Sequence, residues 1–233
     1  MEHVIQHLLG EDKKIKIPAW TKRVKIDVGT SLNAPNSEMW LSQDSELCVF
    51  GFEPNKFNVQ TIKDGQTYWP YHIKKERIDH SFFIIETALS NQMISEIDFY
   101  CTSGLNTGTS SLFKPTSFDI KEITKVPVIT LEFFFNFFPW DKIEYIDQLK
   151  IDAQSSDFNI IKGIGNYLFE RIVFLDVETN TLGQYENVEN PNEIKQYMES
   201  NGFECIKWGD DATFLNKKFK SLIKEKNIIH GIL

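Results

Sequence analysis

The stretch from Arg23 to Asn55, RVKIDVGTSLNAPNSEMWLSQDSELCVFGFEPN, constrains the fold more than any other. It reads as strand, glycine turn, helix, strand, acidic residue. Val24, Ile26 and Val28 alternate along a short strand that runs straight into Gly29. A helix is expected from about Ala34 to Ser42, with Pro35 suited to its first turn and Asn36 able to cap it. Leu47 to Phe52 is nearly all apolar, as befits a strand covered on both faces. It stops at Glu53-Pro54.

This order has a chemical meaning. Gly29 lets the chain turn sharply and lets a ligand approach the backbone. The helix behind the turn presents unpaired N–H groups to the same spot. An acidic residue ending the next strand can accept hydrogen bonds from both hydroxyls of a ribose. Glu53 lies 26 positions after Asp27, against a usual spacing of about 20 in such units. A dinucleotide fingerprint needs three glycines, but Ser31, Asn33 and Ala34 stand where the later ones would fall. A phosphate-cradling Gly-Lys-Ser or Gly-Lys-Thr is missing too. One glycine with an acid on either side suits a ligand with a ribose and no phosphates. S-adenosylmethionine is such a ligand. An ordinary buried β-α-β unit remains the plain alternative.

The 233 residues carry a net charge of −8, which disfavours a general nucleic-acid binder. The most apolar stretch, Val126 to Trp140, is broken by Pro127, Glu132, Asn136 and Pro139, so no membrane span is expected. The start, MEHVIQHLLGEDKK, does not read as a secretory signal. Cys48, Cys101 and Cys205 are far apart, which supports neither a disulfide framework nor a zinc site. A reducing, cytoplasmic setting is expected. His3 and His7 would share a helical face, but a third ligand is lacking, so no metal is expected.

Further along, strands are expected at Ser81–Ile85, Ile94–Tyr100, Val126–Leu131, Leu149–Asp152 and Arg171–Val177, with helices at Asn55–Lys63, Glu132–Phe138 and Ser156–Asn166. Asn190 and Pro191 start another helix, and Phe203–Trp208 with Ala212–Asn216 read as a hairpin. The lysine-rich segment Lys217–Lys226 reads as a solvated helix or frayed end. Strands alternating with helices predict an α/β fold: a mainly parallel sheet, helices on both faces and a C-terminal β-hairpin. Asp27, Gly29, Glu53, Glu86, Asp152 and Glu178 all fall near the carboxyl ends of strands, where ligands bind in such sheets. The aromatic stretch Tyr68, Trp69, Tyr71 and His72 is expected to fold on itself or to line a pocket. The small-residue loop Cys101–Leu112 could bind a polar substrate or serve as a surface turn.

The chain resembles the FkbM-type family of S-adenosylmethionine-dependent methyltransferases over about residues 23–216. The likeness rests on Ile26-Asp27-Val28-Gly29, Phe52-Glu53-Pro54, Ala88-Leu89-Ser90, Thr109-Ser110-Ser111-Leu112, Ile129-Thr130-Leu131, Leu149-Lys150-Ile151-Asp152 and Asn201-Gly202-Phe203-Glu204. It implies a class I methyltransferase, Rossmann-like fold with the cofactor above Gly29. Asp27, Gly29 and Ser31 would line the methionine side, Glu53 would hold the ribose, and Glu86 to Ala88 would lie along the adenine. Two positions depart from the family pattern. Asn33 replaces a second glycine, and Asp152-Ala153-Gln154-Ser155-Ser156-Asp157 replaces the usual Asp-x-x-Gly-x-Glu.

Family members commonly methylate hydroxyl groups, often on sugars, so a small-molecule or glycan acceptor is expected. Asp152 is the first choice of base, followed by Glu178 and His72. A non-catalytic relative and a nicotinamide dehydrogenase are the competing readings. The expected organisation is a lead-in at 1–22, a methyltransferase domain at 23–216 and a basic tail at 217–233.

Overall fold

The computed structural model describes residues 1–65, 71–102, 107–180, 183–186 and 190–226. The chain opens with two 3-10 turns, Glu2–Val4 and Gln6–Leu8, not the short helix expected. The chain doubles back there: the Gly10 N–H bonds to the Lys14 carbonyl, and the Lys16 N–H to that of Leu8. His3 and His7 therefore lie in separate turns. Ile5, Leu8 and Ile15 are buried in the main core.

The first β-α-β unit follows as β1 (Arg23–Val28), α1 (Pro35–Gln43) and β2 (Leu47–Phe52). Pro35 takes the first helical position, but Asn36 does not cap. Ala34 holds the cap position in left-handed geometry, with φ 44°. The residue before a proline is barred from right-handed helical geometry, which puts the boundary there. Asn55 caps α2 (Lys56–Asp64) by accepting the Phe57 N–H at 3.0 Å. β3 (Phe82–Ile85) then completes one half of the main sheet.

An insertion between β3 and α3 builds its own three-stranded sheet from β4 (Ala88–Leu89), β5 (Ile94–Thr102) and β6 (Ile120–Ile129), in the order β4-β6-β5. After α3 (Leu131–Asn136) come β7 (Ile146–Ile151), α4 (Asp157–Lys162), α5 (Tyr167–Arg171) and β8 (Ile172–Glu178). The helix expected at Ser156–Asn166 is thus two shorter ones. The break falls at Gly163 and Gly165, the latter with φ 62°. The chain closes with α6 (Pro191–Ser200), β9 (Phe203–Lys207), β10 (Asp211–Asn216) and α7 (Lys220–Lys226). The tail is more than a solvated end, because Phe219 packs against Val173, Phe174 and Leu215.

The main sheet runs β3-β2-β1-β7-β8-β10-β9. Its first five strands are parallel, and β10 is antiparallel to both neighbours. This is the Rossmann-like class I methyltransferase arrangement. The strand order reverses between β1 and β7, which opens a crevice at their carboxyl ends. The phenyl rings of α3 serve as core: Phe134 meets Phe50 and Phe52 at 5.5 and 5.1 Å between ring centres. Each fully buried ring of this kind contributes about 2–3 kcal/mol of apolar burial.

Gly29 sits where β1 leaves the sheet beside the end of β7. Its φ is +75°, and a Cβ there would lie 1.8 Å from the Asp152 carbonyl oxygen. Gly29→Ala is expected to cost at least ~3 kcal/mol, read as a lowered urea midpoint with unchanged slope. A loss below ~1 kcal/mol would show that the crossing can open without penalty.

Candidate active site

A cavity of about 290 Å³ lies at the carboxyl ends of β1, β2 and β7. That is near the lower end of ligand clefts, roughly 300–1,000 Å³. Gly29, Ser31, Glu53, Ala88 and Asp152 line it, as do Asn33, Thr87 and Gln154. Leu89, Phe99, Leu112 and Ile160 form an apolar wall, and Gly108 and Ser110 of the insertion close one side. Ser111 donates to the Gln154 carbonyl at 2.6 Å, which ties the insertion to the loop after β7.

Glu53 is 4% exposed and takes the Asn55 N–H at 2.9 Å. Burial pushes its carboxyl up to about 7, against the opposing hydrogen bonds from Asn55, Asn58 and the Ser31 backbone. Asp27 lies below the cavity and is not part of its lining. It is fully buried, accepts the Ser37 hydroxyl at 2.7 Å and sits 3.4 Å from the Lys150 ammonium. Burial raises its pKa, opposed by Lys150 and Ser37.

Sequence reasoning quoted Lys150 inside a motif and gave it no role. Its ammonium lies 3.4 Å from Asp152 and 3.2 Å from the Gly29 carbonyl. Burial opposes its charge, but Asp152 and Asp27 outweigh that, so it stays charged well above the ordinary lysine range. Lys150, set between Leu149 and Ile151 at the end of β7, was the available signal.

Asp152 ends β7 and faces the cavity. Burial works against its charge, yet Lys150 and the Gln154 amide hold its carboxyl below the usual range. Gln154 Nε2 is 2.8 Å from Asp152 Oδ1 and 2.8 Å from Glu178 Oε2. Glu178 meets both Asp152 and Gln154 and does not line the cavity. Burial and the neighbouring charges of Asp152 and Asp157 push Glu178 up to about 9. Asp157 grips the turn by accepting the N–H groups of Ala153 and Ser155, each at 2.9 Å. Burial pushes it up to about 7.

The two departures from the family pattern have physical answers. Ser155, at the glycine position, takes φ 79° and bears the strain that glycine would avoid. In the first turn, Ser31 and Ala34 are left-handed at φ 56° and 44°, whereas Asn33 is not. Asn33 instead donates to the Tyr71 carbonyl at 3.0 Å. Such backbone outliers gather at ligand sites.

Glu86 and His72 stand apart from the cavity lining, and Glu86 is exposed. Tyr71 is 76% exposed, while Tyr68, Trp69 and Pro70 lie outside the described residues. Among the described residues, no group of His, Cys, Asp or Glu could hold a metal ion. Among them also, no helix is long and apolar enough to cross a membrane.

No curated protein matches the chain significantly. Solved structures that resemble it include precorrin-6y C5,15-methyltransferase from Geobacter metallireducens GS-15, at 11% identity and a TM-score of 0.41, covering 84% of this chain and 79% of that one. Another is the Methanococcus jannaschii fibrillarin pre-rRNA processing protein, at 11% identity and a TM-score of 0.42, covering 92% and 74%. The Methyltransferase FkbM domain matches residues 27–205. With S-adenosylmethionine as cofactor, the chain belongs to the FkbM methyltransferase family.

Proposed function

We propose that this methyltransferase acts on a hydroxyl group of a sugar or glycoconjugate. One observation carries the reading: a buried glutamate and an ionised aspartate meet at a single cavity, one at each side of the β1 turn. The cavity suits the cofactor, since its backbone wall at Gly29 is bare and its acid at Glu53 has room to accept hydrogen bonds. When bound, S-adenosylmethionine supplies a methyl group already activated on a cationic sulfur.

The chain's own residues then do the rest. Glu53 accepts the two ribose hydroxyls, with the Ser31 and Asn55 backbone N–H groups steadying its carboxylate. Ala88 and Leu89 border the adenine, and Phe99 and Ile160 exclude water. Asp152 accepts the proton of the acceptor hydroxyl as oxygen attacks. Bound there, S-adenosylmethionine would supply the methyl group to that oxygen and would leave as the neutral thioether. The main contribution of the fold is alignment. In this reading residues 23–216 are the methyltransferase domain, 1–22 its lead-in and 217–233 its basic tail.

Calorimetry tests the cofactor side. The intact protein should bind S-adenosylmethionine and S-adenosylhomocysteine, and Glu53→Ala should weaken both at least ~10-fold, the loss of about 1.4 kcal/mol or more. Binding of NAD alone would overturn the reading, and binding of none of the three would favour a non-catalytic relative. Ligand binding draws on the ionised form of Glu53. Affinity for S-adenosylhomocysteine should therefore rise as pH climbs from 6 towards 8, through a carboxyl near 7, by up to about tenfold. Glu53→Gln should flatten that slope.

The acceptor side is tested by Asp152→Ala, assayed with methyl-labelled cofactor against a panel of sugars and glycoconjugates. Turnover should drop at least ~100-fold, the usual scale for a general base, while cofactor affinity changes little. Loss of cofactor binding would make Asp152 a binding residue instead.

A further inference from the structure

The two acids at the far wall of the cavity are joined by an amide. The two hydrogens of Gln154 Nε2 can point one to Asp152 Oδ1 and one to Glu178 Oε2, both at 2.8 Å. The amide has one sensible orientation. Its oxygen lies 2.7 Å from the Tyr185 hydroxyl, which also lies 2.8 Å from the Thr109 carbonyl and can donate to one of them at a time. The turn that carries Gln154 is held left-handed, at φ 54°, and is clamped by Asp157.

Charge decides what this unit can do. Glu178 faces Asp152, Asp157 and Asp211, all acidic, together with Tyr185. Asp152 faces Lys150, whose charge is shared with Asp27. One ammonium therefore supports two carboxylates already, and among the described residues no ion pair is seen for a third negative charge at Glu178. Two close buried carboxyls in such surroundings do not both ionise freely.

We propose that Asp152, Gln154 and Glu178 form a one-proton unit that releases its proton when the cationic methyl donor binds, with Gln154 as the positioning residue that couples the two acids. The proposal rests on the reading of the cavity as the cofactor site. An arriving positive charge favours the second ionisation, just as a neighbouring cation lowers any carboxyl. The O–H bond of the Glu178 carboxyl breaks, its proton passes to solvent, and no bond to carbon changes. The site gains its second negative charge only when the donor is present. Spent S-adenosylhomocysteine lacks the sulfonium charge, so its presence lets the proton return.

The test counts protons and needs no acceptor. Calorimetric titrations at pH 8.5, in two buffers of different ionisation enthalpy, give the protons released on binding. This pH lies above the Glu53 range of about 7 and below that of Glu178 at about 9. S-adenosylmethionine should release roughly half a proton, and S-adenosylhomocysteine almost none. Glu178→Gln should still bind both ligands and lose the difference between them. Gln154→Ala should shrink the difference, which a purely structural role would not do. Carbon-13 carboxyl spectra of the free protein supply a second measurement, in which Glu178 should titrate far above an ordinary glutamate. Equal release with the two ligands, or an undiminished difference in Glu178→Gln, would overturn the proposal. Failure of both ligands to bind would overturn the cofactor reading and the proposal with it.

Discussion

The site depends on one buried ammonium. Asp27 of β1 and Lys150 of β7 are register partners in the parallel pair, so their side chains meet on one face of the sheet. An ammonium removed from water costs several kcal/mol unless its surroundings replace the lost hydration. Here two carboxylates and the carbonyls of Val28 and Gly29 do so. The same contacts fasten the ends of the two strands that flank the crevice. Ser37 extends the network into α1 through Asp27, so the helix behind the turn is fixed to the same point. The β1 turn, α1 and Asp152 thus share one electrostatic anchor.

The anchor also explains why strain is tolerated around it. Ser31, Ala34, Gln154 and Ser155 all adopt left-handed geometry without being glycine. Each costs roughly 1–2 kcal/mol unless its surroundings compensate. At Ser155 the compensation is visible, because Asp157 satisfies the N–H groups on both sides of Gln154. A glycine at 155 would relax the turn but also loosen the side chain that joins Asp152 to Glu178. Asp157 thereby matters to the chemistry without touching the cavity.

Much of this was legible in the sequence, for a reason. The alternation Val24-Ile26-Val28, the apolar run Leu47–Phe52 and the caps at Asn55 and Asn190 are local signals, and the structure honours them. Acids at strand ends could be picked out because parallel sheets put their ligand edge there. What stayed hidden depends on distant neighbours. Asp27 faces into the protein because Lys150, 123 positions later, pairs with it. Glu178 joins this cluster through Asp152 and Gln154, both distant from it in sequence. Asn36 looked like a cap, but the proline beside it moved the boundary to Ala34. The split between α4 and α5 carries a local signal in Gly163 and Gly165, while Ile160, Ile161 and Ile164 keep a helical apolar spacing across it.

The charge inventory finally bears on which ligand the crevice can accept. Asp27, Glu53, Asp152, Asp157 and Glu178 line or back the cavity, and Lys150 is the cation set among them. A nucleotide phosphate entering there would add negative charge to a wall where burial already raises the pKa of Asp27, Glu53, Asp157 and Glu178. It would also need backbone N–H donors at a glycine-rich turn, and that turn is occupied by Ser31, Asn33 and Ala34. A ligand with a ribose and a positive centre meets neither obstacle. In the proposed reading its hydroxyls would use the acid at β2, and its charge would relieve the repulsion among the acids at β7 and β8. These buried carboxyls suit a positive centre better than a phosphate.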